Sequence, residues 1–477
     1  MLLKHFFIEK IAHSSYILAG SNACAVIDPS RDVDMYIKEA RKLGVDITHV
    51  LETHPHADFV SGHMELARRG GAKIYMPEAG NCAFDHVPLS EGDVLKVDDI
   101  ELEVLETPGH SPDSVCYVVT DTSRGEGPLG VFTGDTLFVG DVGRPDLFPN
   151  RAEELAGKLY HSLDKLLQLP DHCEVYPAHG AGSLCGRALS AKWRTTIGYE
   201  REYNQALQIK DKAAFIRSLT SDMPAAPDHF SRCNDINREG PALISDLPFL
   251  EELDPFSFKD RLSDPDVIVV DVRSYDAFGS QHVPGAWHIA MNGNFPTFAG
   301  WVLPPDKDIL LIAGGYEEAS QANLWARRVG LDRVVGVLDG GMFAWAVAGQ
   351  RTSSVYQISA EDLHDMVRGA SLSEFVLVDV RSPREYQDTH IEGAVNIPAP
   401  DLRTRFKELD ADKPTVMICS SGHRGSLGAS ILKQHGFRDV YNVAGGMTGY
   451  SAAGYAKECK VCENPHGSRQ FADILVS

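Results

Sequence analysis

The stretch THPHADFVSGH, residues 53 to 63, sets His54, His56 and Asp58 at alternate positions and puts Phe59 where a two-metal pattern wants histidine. Imidazole and carboxylate are donors that hold zinc and iron. More such groups follow in a fixed order: His110 in TPGHS, Asp135 in FTGDT and His179 in YPAHG. A lone histidine is usually packed or solvated, because only one with partners can bind metal. Here the candidates recur between residues 53 and 179 at the ends of apolar runs, where strand ends can project them into one pocket.

A second chemistry is written in VMICSSGHRGS, residues 416 to 426. Cys419 follows a buried strand and precedes a helix expected to begin near Gly425. The amides of such a loop (Ser420, Ser421, Gly422, His423, Gly425) point inward, and the helix start adds positive potential, so an anionic sulfur is stabilised there. Arg424 adds a fixed charge at the rim. Cys419 is therefore a nucleophile candidate. The pair Cys459 and Cys462, a lone C-x-x-C, reads as two ordinary thiols.

The elements that must position these groups fall into three regions. Residues 1–245 contain many short strands and few helices, which predicts two sheets packed face to face with helices outside. REGPALISDLPFLEELDPF, with Pro241, Pro248 and Pro255, reads as a linker. Beyond it lies a repeat: VIVVDVRSYDAFGSQHVPGAWHI (267–289) matches FVLVDVRSPREYQDTHIEGAVNI (375–397), pairing Asp271 with Asp379, Arg273 with Arg381, His282 with His390 and Gly285 with Gly393. A repeat this long is a duplicated domain, not a solenoid unit. Each copy alternates apolar strands with helical segments, the pattern of an α/β domain around a parallel sheet. Domains are expected at 252–352 and 355–460, with a short polar tail at 461–477. In the first copy, LLIAGGYEEAS puts Ala313 at the nucleophile position and Glu318 at the arginine, so that copy should be catalytically silent.

Composition narrows the function classes. The 477-residue chain is 43% hydrophobic and 23% charged, which is globular rather than disordered. A net charge of -22 repels phosphate backbones and argues against nucleic acid as a partner. No apolar run of membrane-spanning length and no signal-like leader are visible, so a soluble cytosolic or organelle-matrix protein is expected, cytoplasmic by preference and with no membrane partner. Nine scattered cysteines suggest reduced thiols.

The order THPHAD, PGH, GD, PAHG resembles the metallo-β-lactamase superfamily, over about residues 1 to 245. GDTLFVGDVGRPDL (134–147) and YPAHGAGSLCG (176–186) are similar to its persulfide dioxygenase branch, especially the rhodanese-fused members. The two repeats resemble the rhodanese family, over about residues 255 to 460. The resemblance implies an α/β multidomain protein: an αββα sandwich followed by two rhodanese-like domains with central parallel sheets.

It implies one Fe(II) per chain, held by His54, His110 and Asp135. Two imidazoles and a carboxylate on one face leave positions open for substrate and O₂. His56, Asp58 and His179 would then orient ligands or bound water. The implied reaction oxidises a small thiol persulfide of the glutathione or coenzyme A type to sulfite and thiol, with Cys419 moving sulfane sulfur between persulfide, sulfite and thiosulfate in sulfide detoxification. A six-residue span from Cys419 to Arg424, one shorter than the related C-x5-R phosphatase loops, suits sulfur rather than phosphate. An anionic carrier calls for cations near the pocket, and Arg144, Arg187 and Lys192 are nearest to ligand loops in sequence. Cys185 could relay sulfur if it faces the pocket. A homo-oligomer is expected. The rival is a zinc thioester hydrolase of the glyoxalase II type with the rhodanese domains as accessory modules.

Overall fold

A computed structural model describes residues 1–187, 189–221, 223–369 and 374–456. The N-terminal region builds two six-stranded sheets, each with its strands side by side in chain order. The first runs from Leu2–Ile8 through His13–Ala19, Ala23–Ile27, Asp46–Leu51 and Lys73–Pro77 to Val87–Leu89. The second runs from Val94–Val97 through Ile100–Glu106, Val115–Asp121, Gly130–Gly134 and Glu174–Pro177 to Thr195–Thr196. Alternation along the strands sends one set of side chains inward: Tyr16, Leu18, Ile27 and Leu51 from the first sheet meet Leu102, Val104, Tyr117 and Phe132 from the second. The other faces are covered by helices, Asp34–Leu43 and His63–Gly70 through Tyr36 and Leu66, and Ala152–Leu166 and Lys212–Thr220 through Leu159, Leu163 and Phe215. The expected helix-sheet-sheet-helix layering is present.

Each rhodanese-like copy has five strands, all paired in parallel. The spatial order is the same in both: Glu251–Leu253, Val334–Leu338, Asp308–Ile312, Val267–Asp271, Trp287–His288 in the first, and Tyr356–Ile358, Val440–Val443, Thr415–Ile418, Val376–Asp379, Val395–Asn396 in the second. The repeat extends to side chains. Arg273 grips Asp271 and the Gln281 carbonyl as Arg381 grips Asp379 and the Thr389 carbonyl. Ser359 caps the helix Ala360–Gly369, its Oγ accepting from the Asp362 amide at 3.0 Å.

Part of the supposed linker is structured, because Glu251–Leu253 supplies the edge strand of the first copy's sheet. The chain divides into two compact units, and the division does not follow the repeat: Met1–Pro248 is joined by Ala299–Pro305 and Asn323–Arg333, while the remainder forms the second unit. Cys459, Cys462 and the expected tail lie outside the described residues. No described helix is long and apolar enough to cross a membrane.

Candidate active sites

Each metal-type donor sits just beyond a strand. His54 follows Asp46–Leu51, His110 follows Ile100–Glu106, Asp135 follows Gly130–Gly134 and His179 follows Glu174–Pro177. Gly134 has φ +50°, and a Cβ there would lie 2.5 Å from Thr53 Oγ1, so glycine is what lets Asp135 come alongside the His54 strand.

His54, His110 and Asp135 are fully buried and offer ligand atoms within 4.8 Å of one another. Their outward-facing atoms are already committed. His54 Nδ1 lies 3.0 Å from Thr53 Oγ1, His110 Nδ1 donates to the Arg144 carbonyl at 2.9 Å, and Asp135 Oδ1 accepts from His179 Nδ1 at 2.7 Å. His54 Nε2 and Asp135 Oδ2 are left without a hydrogen-bond partner. His110 Nε2 is 3.4 Å from that same Oδ2, and His54 Nε2 is 3.9 Å from it. Orphaned buried polar atoms facing one another are what a metal would satisfy. Burial opposes the charge of Asp135, yet His179, His110 and His54 together hold its carboxyl well below the usual range.

His56 turns away from this group. Its Nε2 is 3.2 Å from Asp28 and 3.4 Å from Glu52, both buried. Burial alone would keep His56 neutral, but these two carboxylates raise it well above the ordinary histidine value. Asp28, Glu52 and His56 thus form a buried cluster of their own, three ligand-type groups separate from His54, His110 and Asp135. His179 stands between Asp135 and Asp58, 2.8 Å from the latter, and against the opposing effect of burial they lift it to about 10.

The loop from His54 to Ser61 is held by the helix His229–Glu239. Asn237 donates to the carbonyls of His56 and Phe59 and accepts from the Ser61 amide, each at 2.8 Å, while Asn234 donates to the Pro55 carbonyl. Phe59 is fully buried against His13, their ring centroids 3.9 Å apart, and neither ring nitrogen of His13 has a hydrogen-bond partner. Asp28, Glu52, His13, Asn234 and Asn237 were not singled out in the sequence. Their only signal is polar character at a buried position, and burial is a property of the fold.

The three expected cations sit in different settings. Arg144 is buried, its guanidinium spent on Asp146 and on the carbonyls of Leu184 and Pro224, so its role is to carry the carbonyl that fixes His110. Arg187 donates to the Ser218 carbonyl, and Lys192 is exposed over the Tyr199 ring. The arginines that line a cleft of about 510 Å³ beside the ligand loops are Arg151 and Arg238, with Phe148 and Asn234. Cys185 is buried within reach of Asp58 and His179 as a third ligand-type group, so the loss of histidine at Phe59 does not empty the second position of donors. Burial and the nearby Asp58 and Asp135 push the Cys185 thiol up.

The sulfur site is compact. Cys419 is buried at the end of Thr415–Ile418, and its Sγ accepts the Gly422 amide at 3.1 Å. The following helix is His423–Gln434, starting two residues earlier than expected, so the first turn itself begins inside the loop. Gly446, at φ +52°, packs its Cα against the Cys419 carbonyl, where any Cβ would overlap it. Arg424 is not a free rim charge: both its terminal nitrogens reach Glu385 at 2.7 Å, and it also donates to Ser420 Oγ. Glu385 is thus a site residue that sequence reading missed. Burial works against its charge, but the Arg424 guanidinium holds it down to about 2. Because that lies below its ordinary value of 4.5, the pair's stabilisation is complete above that pH and drains away as the pH falls toward about 2. Glu385→Gln, which leaves Arg424 charged and half paired, is expected to cost about 1–3 kcal/mol of stability, read as a lower urea midpoint; an unchanged midpoint would remove Glu385 from the loop's support.

In the first copy the pair is lost as a pair, since Ala277 stands opposite Glu385 in the repeat and Glu318 replaces the arginine. Glu318 instead accepts the Gly314 amide at 2.6 Å. That copy still shapes the neighbouring site: Asn294 and Phe298 join His423, Arg424 and Leu427 around a cavity of about 30 Å³. Asn292 lies 3.2 Å from His423 Nε2.

Comparison with known proteins agrees with this geometry. The metallo-beta-lactamase superfamily profile matches residues 9–179, and the rhodanese-like domain profile matches residues 254–348 and 359–453. A crystal structure of a metallo-beta-lactamase from Staphylococcus aureus is 34% identical, with a TM-score of 0.64, covering 71% of this chain and 98% of that one. Persulfide dioxygenase ETHE1, mitochondrial, of Mus musculus is 33% identical over 189 residues, 38% of this chain and 68% of that protein. A hydroxyacylglutathione hydrolase of Rhodospirillum rubrum is 35% identical over 162 residues, 34% of this chain and 58% of that one. The chain spans 59% of a beta-lactamase hydrolase-like protein of Xylella fastidiosa, at 28% identity.

Proposed function

Since this chain belongs to the metallo-β-lactamase superfamily and continues into two rhodanese-like domains, we propose that it is a bifunctional sulfur enzyme: an Fe(II)-dependent persulfide dioxygenase joined to a sulfurtransferase. The observation that carries the first half is the turning of His56 onto Asp28 and Glu52, which leaves His54, His110 and Asp135 as a two-imidazole, one-carboxylate set. Fe(II) in that set would supply positions for O₂ and a persulfide together. The overall change is R-S-SH + O₂ + H₂O giving R-SH, sulfite and two protons.

The chain's own groups orient and enclose. The Arg144 carbonyl, Thr53 and His179 fix the three holders, so that their free atoms converge without rearrangement. Phe59 forms a dry wall beside them. Arg151 and Arg238 line the open cleft, where an anionic carrier of the glutathione or coenzyme A type would share them with their present partners, Glu154 and Asp113. At the other site the Cys419 thiolate attacks the outer sulfur of a persulfide, releasing R-SH and keeping a protein persulfide; sulfite then takes that sulfur as thiosulfate and frees the thiolate. The Gly422 amide and the first turn of His423–Gln434 hold the anionic sulfur, and the small cavity beside them suits an acceptor of sulfite size.

A second reading has an observation of its own. Asp58, His179 and Cys185 are a further three-donor set, which a two-zinc thioester hydrolase could fill. Metal analysis of the purified chain separates the two: we expect one iron per chain and O₂ uptake with a persulfide after anaerobic Fe(II) loading. Two zincs per chain with thioester cleavage and no O₂ uptake would replace the dioxygenase reading with the hydrolase.

A further inference from the structure

The first rhodanese-like copy has lost its nucleophile, yet its segment Asn323–Arg333 belongs to the compact unit that contains the metal-type cluster. Its attachment is specific. Arg328, almost fully buried, makes a two-point pair with Asp32 at 2.7 and 2.6 Å, and Arg31, also buried, makes the reverse pair with Asp332 at 2.5 and 2.8 Å. Two neighbouring residues of opposite sign thus meet two residues of opposite sign, so only one register satisfies both. Arg31 also donates to the Arg327 carbonyl at 2.7 Å. The Arg328 guanidinium lies 4.1 Å from the centre of the Trp325 ring. Trp325 in turn packs on the cluster formed by Ile8, Ile11 and Phe59. Finally, the Val60 amide donates to the Arg328 carbonyl at 2.7 Å.

Buried ion pairs contribute little net stability compared with apolar packing of the same volume, because desolvation offsets their attraction; what they do supply is a defined geometry. The geometry here is imposed on Phe59 and Val60, which directly follow Asp58 in the loop that begins at His54. From the other side that loop is held by Asn237. We infer that the silent copy serves the metal-type site as a clamp, with Arg328 and Trp325 as positioning residues that fix the His54–Val60 loop through Asp32, Phe59 and the Val60 amide. The first copy thus acts in the reaction without containing any of its chemistry. The inference rests on the metal reading of His54, His110 and Asp135 only for the second of its two readouts.

The test uses the full chain with Asp32→Asn and Arg328→Lys, the first removing the charge partner and the second keeping the charge but not the fork. Hydrogen exchange at the Val60 amide is expected to quicken about tenfold or more in Asp32→Asn and less in Arg328→Lys. Loss of bound metal to a chelator should quicken about tenfold, within the 10–100-fold range for partners one layer out from a metal. Sulfur transfer at Cys419 should stay at the level of the unaltered chain, which reports that the second unit is intact. Should Asp32→Asn not fold, Trp325→Leu carries the same two readouts. Unaltered Val60 exchange together with unaltered metal loss, in a folded variant, would overturn the clamp. If the unaltered chain itself retains no metal, the metal reading fails while Val60 exchange still decides the clamp.

Discussion

Asp135→Ala is expected to lose its metal and, with it, O₂ uptake and sulfite formation from a persulfide, by at least about a hundredfold, the upper end of what even a partner one layer out costs. The size follows from position. Asp135 is the only carboxylate in its three-donor set, and its Oδ2 is the atom both His54 and His110 face. Its other oxygen anchors His179, which in turn reaches Asp58. The substitution therefore removes a donor, leaves three imidazoles crowded without their counter-charge and frees His179 to turn. Metal content by elemental analysis and O₂ consumption are the two measurements, and retention of both would end the assignment of this cluster as the reactive centre. Sulfur transfer by the same variant should be unaffected, because Cys419 lies in the other compact unit.

The reciprocal result is expected for Cys419→Ser. Thiosulfate formation from persulfide and sulfite should fall below about a thousandth of its value, as for loss of any sole nucleophile, while persulfide-dependent O₂ uptake continues and sulfite accumulates. Serine keeps the size of the side chain and its hydrogen bond with the Gly422 amide, so the loop should stay formed; what is lost is the capacity to carry sulfane sulfur. If thiosulfate chemistry persisted, the second rhodanese-like copy would be an assembly module and not an enzyme. Together the two variants ask whether the chain holds two separable activities, which no single substitution can show.

The parts of this protein legible in its sequence are those written locally. His54, His110, Asp135 and His179 each end a strand and carry their own short motif, and Cys419 is flanked by a strand and a helix start, so type and place could be read together. The duplication was legible for the same reason, down to Asp271 with Arg273 and Asp379 with Arg381. What could not be read depends on residues far apart in the chain. His56 has the same local motif as His54 and differs only in meeting Asp28, which lies at the end of another strand. Arg424 looks like a free charge until Glu385 comes beside it from a different helix. Arg144 was misplaced because its burial, and hence its exclusion from any substrate, is set by the loops of Leu184 and Pro224. The clamp is the extreme case, since Asp32 and Arg328 are 296 residues apart, farther than the length of the first domain.

The paired difference at Ala277 and Glu318 bears on what the sulfur site of the second copy requires. In the second copy, nucleophile, arginine and carboxylate depend on one another: Glu385 has a use only while Arg424 is charged beside it, and Arg424 keeps its place only while Glu385 answers it. In the first copy a carboxylate now occupies the arginine's position and takes the Gly314 amide for itself. A thiol restored at position 313 alone would face a negative neighbour and would lack a basic one. Three positions differ at once, 277, 313 and 318, so a working sulfur site in the first copy would require all three to change together.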